Sequence, residues 1–161
     1  MELKQQQTII SGLYIFLIIS TVLAFVPLGA MQILSLILIT IALIIAYFYK
    51  FKKDDESLLY NHSVYLIGTI WIGSSVLVFG MLAAALIVFY FGDHTIIDNA
   101  MAQITSGGML DEEALKSVMY DYMDENKSLL IMASIPTIAP SILYFVYRIV
   151  NGYGRAIKGY R

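Results

Sequence analysis

The side chains able to do chemistry in this chain are few, and most crowd into one segment. Met101, Met109, Met119 and Met123, four of the eight methionines, fall beside His94. Soft thioethers with an imidazole are a donor set for copper(I). No Met-x-x-Met pattern accompanies them, and methionine routinely fills apolar faces, so no metal is expected there. Asp121, Asp124 and Glu125 offer hard oxygens to calcium, but an EF-hand-like run with its glycine is missing, and the cluster reads as a solvated acidic face. His62 stands alone beside an apolar run with no second ligand in reach, and reads as a hydrogen-bonding surface group. Cysteine is absent from all 161 residues, which excludes disulfides, thiolate metal sites and cysteine nucleophiles. There is no phosphate loop, no His-Glu-x-x-His and no nucleophile elbow. The expectation is a protein that is not an enzyme, with no catalytic residue, no cofactor and no metal.

The elements around these residues belong to a membrane. The chain is 59% hydrophobic and 14% charged, with a mean hydropathy of +0.76, far from the composition of soluble domains. Four apolar runs stand out: 9–26, 31–49, 65–91 and 129–150. Each is long enough to cross about 30 Å of hydrocarbon at about 1.5 Å per residue. Lipid offers the backbone no hydrogen bonds, so such runs must be helices. The expected fold is therefore an all-α polytopic membrane protein: four transmembrane helices and a short helical outer loop, in a single membrane domain over 1–161. Pro27-Leu28-Gly29 turns the first two runs into a tight antiparallel hairpin. Met1–Thr8 carries one lysine and one glutamate and no Ala-x-Ala site follows, so the first run reads as a retained helix. The third run exceeds the bilayer, and Trp71, six residues inside it, favours a first turn standing in the cytoplasm.

Lysine and arginine set the orientation. With four spans, Lys4, Lys50, Lys52, Lys53, Arg148, Arg155, Lys158 and Arg161 share one side, and Lys116 and Lys127 lie on the other. That bias places both termini of an integral membrane protein in the cytoplasm. The aromatic groups Tyr47-Phe48-Tyr49, Phe89-Tyr90-Phe91 and Tyr144-Phe145 with Tyr147 mark interfacial belts. Lys50, Lys52 and Lys53 followed by Asp54, Asp55 and Glu56 read as a stop-transfer flank with solubilising acids, and the tail Asn151–Arg161 as an anchor on an anionic leaflet. A net charge of −2 argues against nucleic acid as a partner.

Inside the spans there is no Asp, Glu, Lys or His. A charge at a span centre costs about 3 kcal/mol and marks a proton or ion path when present, so its absence argues against a pump working as a monomer. Small residues recur at helical spacing instead: Gly73, Gly80 and Ala84 on the third helix, and Ala133, Thr137 and Ser141 on the fourth. Such stripes let helices approach closely, within the bundle or against a partner subunit. Pro136 and Pro140, four apart, each remove a backbone donor and predict a helix kink, with Thr137 and Ser134 available to satisfy freed carbonyls.

The extracytoplasmic loop 92–128 carries eight acids against two lysines, a balance of −6. Two helices are legible in it. Thr95 with Asp98 resembles a capping box, with Ile97, Met101 and Ile104 at helical spacing behind it. After Ser106-Gly107-Gly108, Asp111 reads as an N-cap, Glu112 and Glu113 suit the positive end of the helix dipole, and Leu115, Val118, Met119 and Tyr122 form an apolar face.

Two stretches carry a resemblance. His62 followed by Thr69-Ile70-Trp71-Ile72-Gly73, and Tyr147-Arg148-Ile149-Val150-Asn151-Gly152 running on to Ala156-Ile157-Lys158-Gly159, resemble a family of small bacterial four-helix membrane proteins. That family is distantly similar to the chloroplast twenty-kilodalton inner-envelope import component. Here Ile67-Gly68 stand where the family carries a basic residue, and the acidic loop replaces a short turn. The resemblance implies a helical membrane bundle in a bacterial inner membrane and brings no activity with it.

The expected function is a non-catalytic accessory or assembly subunit of a larger membrane complex. It would sit in the lipid bilayer and bind partner subunits, or copies of itself, through Gly73, Gly80, Ala84, Ala133, Thr137 and Ser141 and through Leu115, Met119 and Tyr122. The alternative is an oligomeric channel or translocation component.

Overall fold

Ser57 shows how the longest helix begins. Its hydroxyl accepts the amide of Tyr60 at 3.1 Å, while the Gln6 side chain accepts the amide of Leu59 at 3.1 Å. Two of the orphan donors of a helix N-terminus are thereby satisfied, one locally and one from a distant segment. The helix consequently starts at Leu58, seven residues ahead of its apolar run.

The computed structural model describes residues 2–24, 26, 28–52 and 57–160. Pro27 of the hairpin turn, Lys53, Asp54, Asp55 and Glu56 of the charged flank, and Arg161 of the tail lie outside the described residues. In chain order the helices are α1 Leu3–Ala24, α2 Gly29–Lys52, α3 Leu58–Phe91, α4 Thr95–Thr105, α5 Glu112–Glu125 and α6 Lys127–Ile157. No strand occurs among the described residues.

Helices α1, α2, α3 and α6 are long and apolar enough to cross a membrane, and the chain is an integral membrane protein. All four outrun the apolar stretches that announce them, because a hydrogen-bonded helix continues into water while hydropathy marks only the part that can sit in oil. At about 1.5 Å per residue, α3 is about 51 Å long and α6 about 46 Å. Their surfaces fit lipid rather than water: Phe79 is 71% exposed and Leu36 65%. Bulky apolar side chains stand out all along these helices, a density no soluble surface carries.

The described chain divides into two compact units, Met1–Ser75 with Ile142–Arg161, and Val76–Ser141. In the first unit, α1 and α2 pair as an antiparallel hairpin. Its polar seam is reciprocal: Ser20 Oγ donates to the Ser35 carbonyl at 2.9 Å and Ser35 Oγ to the Ser20 carbonyl at 2.8 Å. Small Ser35, Ala42 and Ala46 are the buried residues of α2, which brings its backbone close to its neighbours. Ile10, Leu13, Leu17, Leu59, Leu66, Ile70 and Ile149 fill the core of this unit.

The second unit has a smaller core of Ala84, Val88 and Ala133. Its α4 and α5 coincide with the two helices expected in the 92–128 segment. Asp111 caps α5, its carboxylate accepting the Ala114 amide at 2.8 Å. The cap of α4 differs from the Thr95–Asp98 box. Thr95 is already the first helical residue, and it is Asp93 that accepts the Thr95 amide, at 2.8 Å. The N-cap position thus falls on His94, one residue before Thr95, and the Asp93 carboxylate satisfies the first orphan amide of the helix in place of a hydroxyl cap.

Candidate functional site

His62 is not a surface group. It is 4% exposed, and both ring nitrogens are engaged inside the first unit. Nε2 lies 3.0 Å from the Tyr160 carbonyl and Nδ1 lies 3.1 Å from the Tyr14 hydroxyl. A carbonyl only accepts, so in the neutral ring the proton sits on Nε2 and Nδ1 accepts from Tyr14. The rings meet edge to face, centroids 5.9 Å apart. Gly152 on α6 makes this possible, since a Cβ there would collide with the phenol oxygen of Tyr14. Tyr14 is fully buried, and a buried phenol needs such a partner. One histidine thereby ties α1, α3 and the chain beyond α6 together.

One turn along α3, a second cluster gathers around Arg148. Its Nε donates to Thr69 Oγ1 at 3.2 Å. Its guanidinium lies 3.6 Å from the ring centroid of Tyr65 and 5.8 Å from that of Tyr144. The Tyr65 hydroxyl in turn donates to the Arg148 carbonyl at 3.1 Å, and Thr69 Oγ1 donates to the Tyr65 carbonyl at 2.8 Å. No ion pair reaches Arg148 among the described residues. Stacking on aromatic faces and one neutral acceptor hold the charge instead, an arrangement open to arginine because its cation is planar and weakly hydrated. A recess of about 230 Å³ beside it is lined by Asn61, His62, Tyr65, Gly152 and Arg155.

The second unit carries a latch of its own. Asn126, 4% exposed, accepts the Asp93 amide at 2.7 Å and donates to the Asp93 carbonyl at 3.0 Å. It thereby pins the end of α3 to the start of α6. His94 repeats the pattern of His62: Nε2 donates to the Phe89 carbonyl at 2.8 Å, and Nδ1 faces the Tyr122 hydroxyl at 3.5 Å, with the two rings stacked. An apolar groove of about 640 Å³ opens here, walled by Ala84, Val88, Ile97 and Leu130, with His94, Asp98 and Tyr122 also lining it. The Thr95 hydroxyl and then its amide hold the Asp93 carboxyl below the usual carboxylate range. Among the described residues no three imidazoles or carboxylates converge on a point that could hold a metal ion.

Chemically these are latches. Each histidine has its Nε2 proton committed to a carbonyl and its Nδ1 turned to a phenol, and among the described residues no serine or threonine hydroxyl is hydrogen-bonded to either ring.

The small residues singled out in sequence sit within the units. Gly73 faces the Phe145 ring, an added Cβ meeting it at 2.5 Å, and Gly80 lies against the Thr137 backbone. Ala84 and Ala133 share the core of the second unit, and Ser141 is buried. Leu115 and Met119 are exposed on α5, while Tyr122 turns into the groove. Pro136 and Pro140 lie inside α6, both exposed. They remove the donors to the carbonyls of Met132 and Pro136. The Thr137 hydroxyl donates to the carbonyls of Ala133 and Ser134, at 2.7 and 3.3 Å, which are not the two that the prolines free.

Sequence reasoning missed Tyr14, Thr69, Asn126 and the Ser20–Ser35 pair. The signal for the serines was present, as polar small residues amid Ile and Leu on both arms of a hairpin. For Tyr14 and His62, 48 positions apart, nothing in the sequence pairs them. Compared with known protein families, with curated proteins and with solved structures, the chain matches none.

Proposed function

We propose that the protein is a non-catalytic accessory or assembly subunit of a larger complex in a bacterial inner membrane, with both termini in the cytoplasm and α4 and α5 presented outside. The observation that carries this reading is that α4 and α5 hold no buried residue. Both helices are amphipathic, yet Ile97, Met101 and Ile104 on α4 and Leu115 and Met119 on α5 stand exposed. Met101, Ile104, Leu115 and Met119 do not line the groove that Ile97 and Tyr122 enter, and exposed apolar stripes of this kind are what a partner's surface would cover. The acidic residues between them would favour a basic face on that partner. The engaged histidines and the absence of an intramembrane acid fit a subunit that assembles better than one that transports or catalyses.

Photo-crosslinking residues at Met119 and Ile104, in cells, test the reading, followed by purification in a mild detergent. Adducts to one membrane protein at both positions, lost when residues 95–127 are replaced by a short Gly/Ser linker, are expected. Adducts to lipid alone, or a homo-oligomer that conducts ions in liposomes, would overturn it.

A further inference from the structure

In the first unit, α1 and α6 leave a groove of about 500 Å³ between Ile18 and Val22 on one wall and Val146, Val150, Tyr153 and Gly154 on the other. The lining is apolar, as suits an acyl chain. The groove does not end blindly. Val150 and Gly154 also line a second recess of about 210 Å³, whose remaining walls are Asn151, Arg155, Lys158 and Tyr160. An oily groove along two membrane helices thus adjoins, across Val150 and Gly154, a polar recess with two cationic side chains, at the end of α6 where its apolar run gives out. The change in lining follows from the sequence of α6: small and β-branched residues at Val146, Val150 and Gly154, then Arg155 and Lys158 within one turn.

From this continuity we propose that the α1–α6 groove is a binding site for one acidic glycerophospholipid. An acyl chain lies along Ile18, Val22, Val146 and Val150, and the phosphate meets Arg155 and Lys158. The charge at the mouth selects the lipid: cations within hydrogen-bond reach of a phosphodiester discriminate against zwitterionic headgroups, whose own ammonium competes for the phosphate. Asn151 and the Tyr160 hydroxyl add neutral donors suited to a glycerol or ester oxygen. Gly154 keeps the passage open, for a Cβ at this position would meet no atom within 4 Å, so this glycine is not required by helix packing. Gly152, two residues earlier, is required for packing, because Tyr14 occupies its space.

The test uses the full chain, delipidated in detergent and titrated with phosphatidylglycerol or phosphatidylcholine under native mass spectrometry. One retained phosphatidylglycerol is expected, preferred over phosphatidylcholine by on the order of tenfold or more if each basic group contributes as usual near a membrane surface. Arg155→Gln with Lys158→Gln should bring the two lipids to equal retention. Gly154→Leu, which fills the groove, should lower retention of both. Should either variant lose its thermal transition, a photo-crosslinking residue at Val150 in the otherwise unaltered protein replaces it, with phosphatidylglycerol adducts expected. Equal retention of the two lipids by the unaltered chain, a preference that survives Arg155→Gln/Lys158→Gln, or competition by soluble glycerol phosphate as effective as by the lipid would overturn the proposal.

Discussion

Tyr14 Oη lies 3.1 Å from His62 Nδ1, and both side chains are sealed from the surface. Because His62 Nε2 is committed to the Tyr160 carbonyl, the phenol is the donor to Nδ1 and the bond has a fixed polarity. Tyr14→Phe removes the donor and leaves a bare imidazole nitrogen in a dry place, which should cost about 1–3 kcal/mol of stability. His62→Phe should cost a similar amount. The double variant should fall short of the sum of the two, because each single change already breaks the same bond. Thermal unfolding in detergent measures all three. Strict additivity would show that the two residues do not interact.

Arg148 is held by aromatic faces rather than by a carboxylate. Arg148→Lys keeps the charge but loses both the Nε donor to Thr69 and the flat stacking on Tyr65. A loss of about 1–2 kcal/mol is expected in thermal unfolding. A lysine variant with unaltered stability would contradict the stacking account.

Gly80 and Gly154 make opposite predictions for the same substitution. A Cβ on Gly80 would run into the Thr137 carbonyl, a backbone atom that cannot step aside. Gly80→Ala should therefore cost about 1–3 kcal/mol, while Gly154→Ala, with open space before it, should be neutral or mildly stabilising in a helix. Melting temperatures of the two variants, taken side by side, decide the matter.

Asn126 satisfies the backbone of Asp93 twice and also donates to the Tyr122 carbonyl at 3.0 Å. Asn126→Ala leaves those groups unpaired in a largely buried position. Faster hydrogen exchange is expected at the Asp93 amide and through α4 and α5, with the Leu59 amide unchanged. Uniform acceleration across the chain would mean global destabilisation instead of a local latch.

The Asp93 carboxylate titrates below its ordinary value because Thr95 donates to its charged form. A group whose folded value is depressed lends stability that is complete above its ordinary range and disappears as pH falls through the depressed value. The protection factor of the Thr95 amide, taken against the intrinsic exchange rate at each pH, should thus be constant near neutral pH and fall only in acid below the usual aspartate range. Asp93→Asn should abolish that acid step. A midpoint at or above the ordinary aspartate value would refute the interaction with Thr95.

Much of the architecture was legible residue by residue. Leu36 and Phe79 belong to runs that only lipid tolerates, so four long helices were readable from hydropathy alone. Asp111 before Glu112-Glu113 announced α5, because capping is a local contest between a carboxylate and the amide three residues on. The α4 cap was misplaced by one residue for a similarly local reason: the helix begins at Thr95, whose amide the Asp93 carboxylate accepts, and spacing does not say which of two neighbouring polar residues stands outside the first turn.

What the sequence by itself determined, then, is everything set by the preference of a segment for oil or water and by contacts within a turn or two: the helices, their amphipathic faces, and the lack of any motif for catalysis. Tertiary structure alone decided that Tyr14 meets His62, that Arg148 rests on Tyr65, that Thr137 fills the space before Gly80, and that α1 and α6 leave an apolar groove adjoining a recess lined by Arg155 and Lys158. These are pairings between side chains that are distant along the chain. Hydropathy is additive and local, whereas such pairings depend on how helices are rotated about their own axes, a property carried by the packing of all of them together.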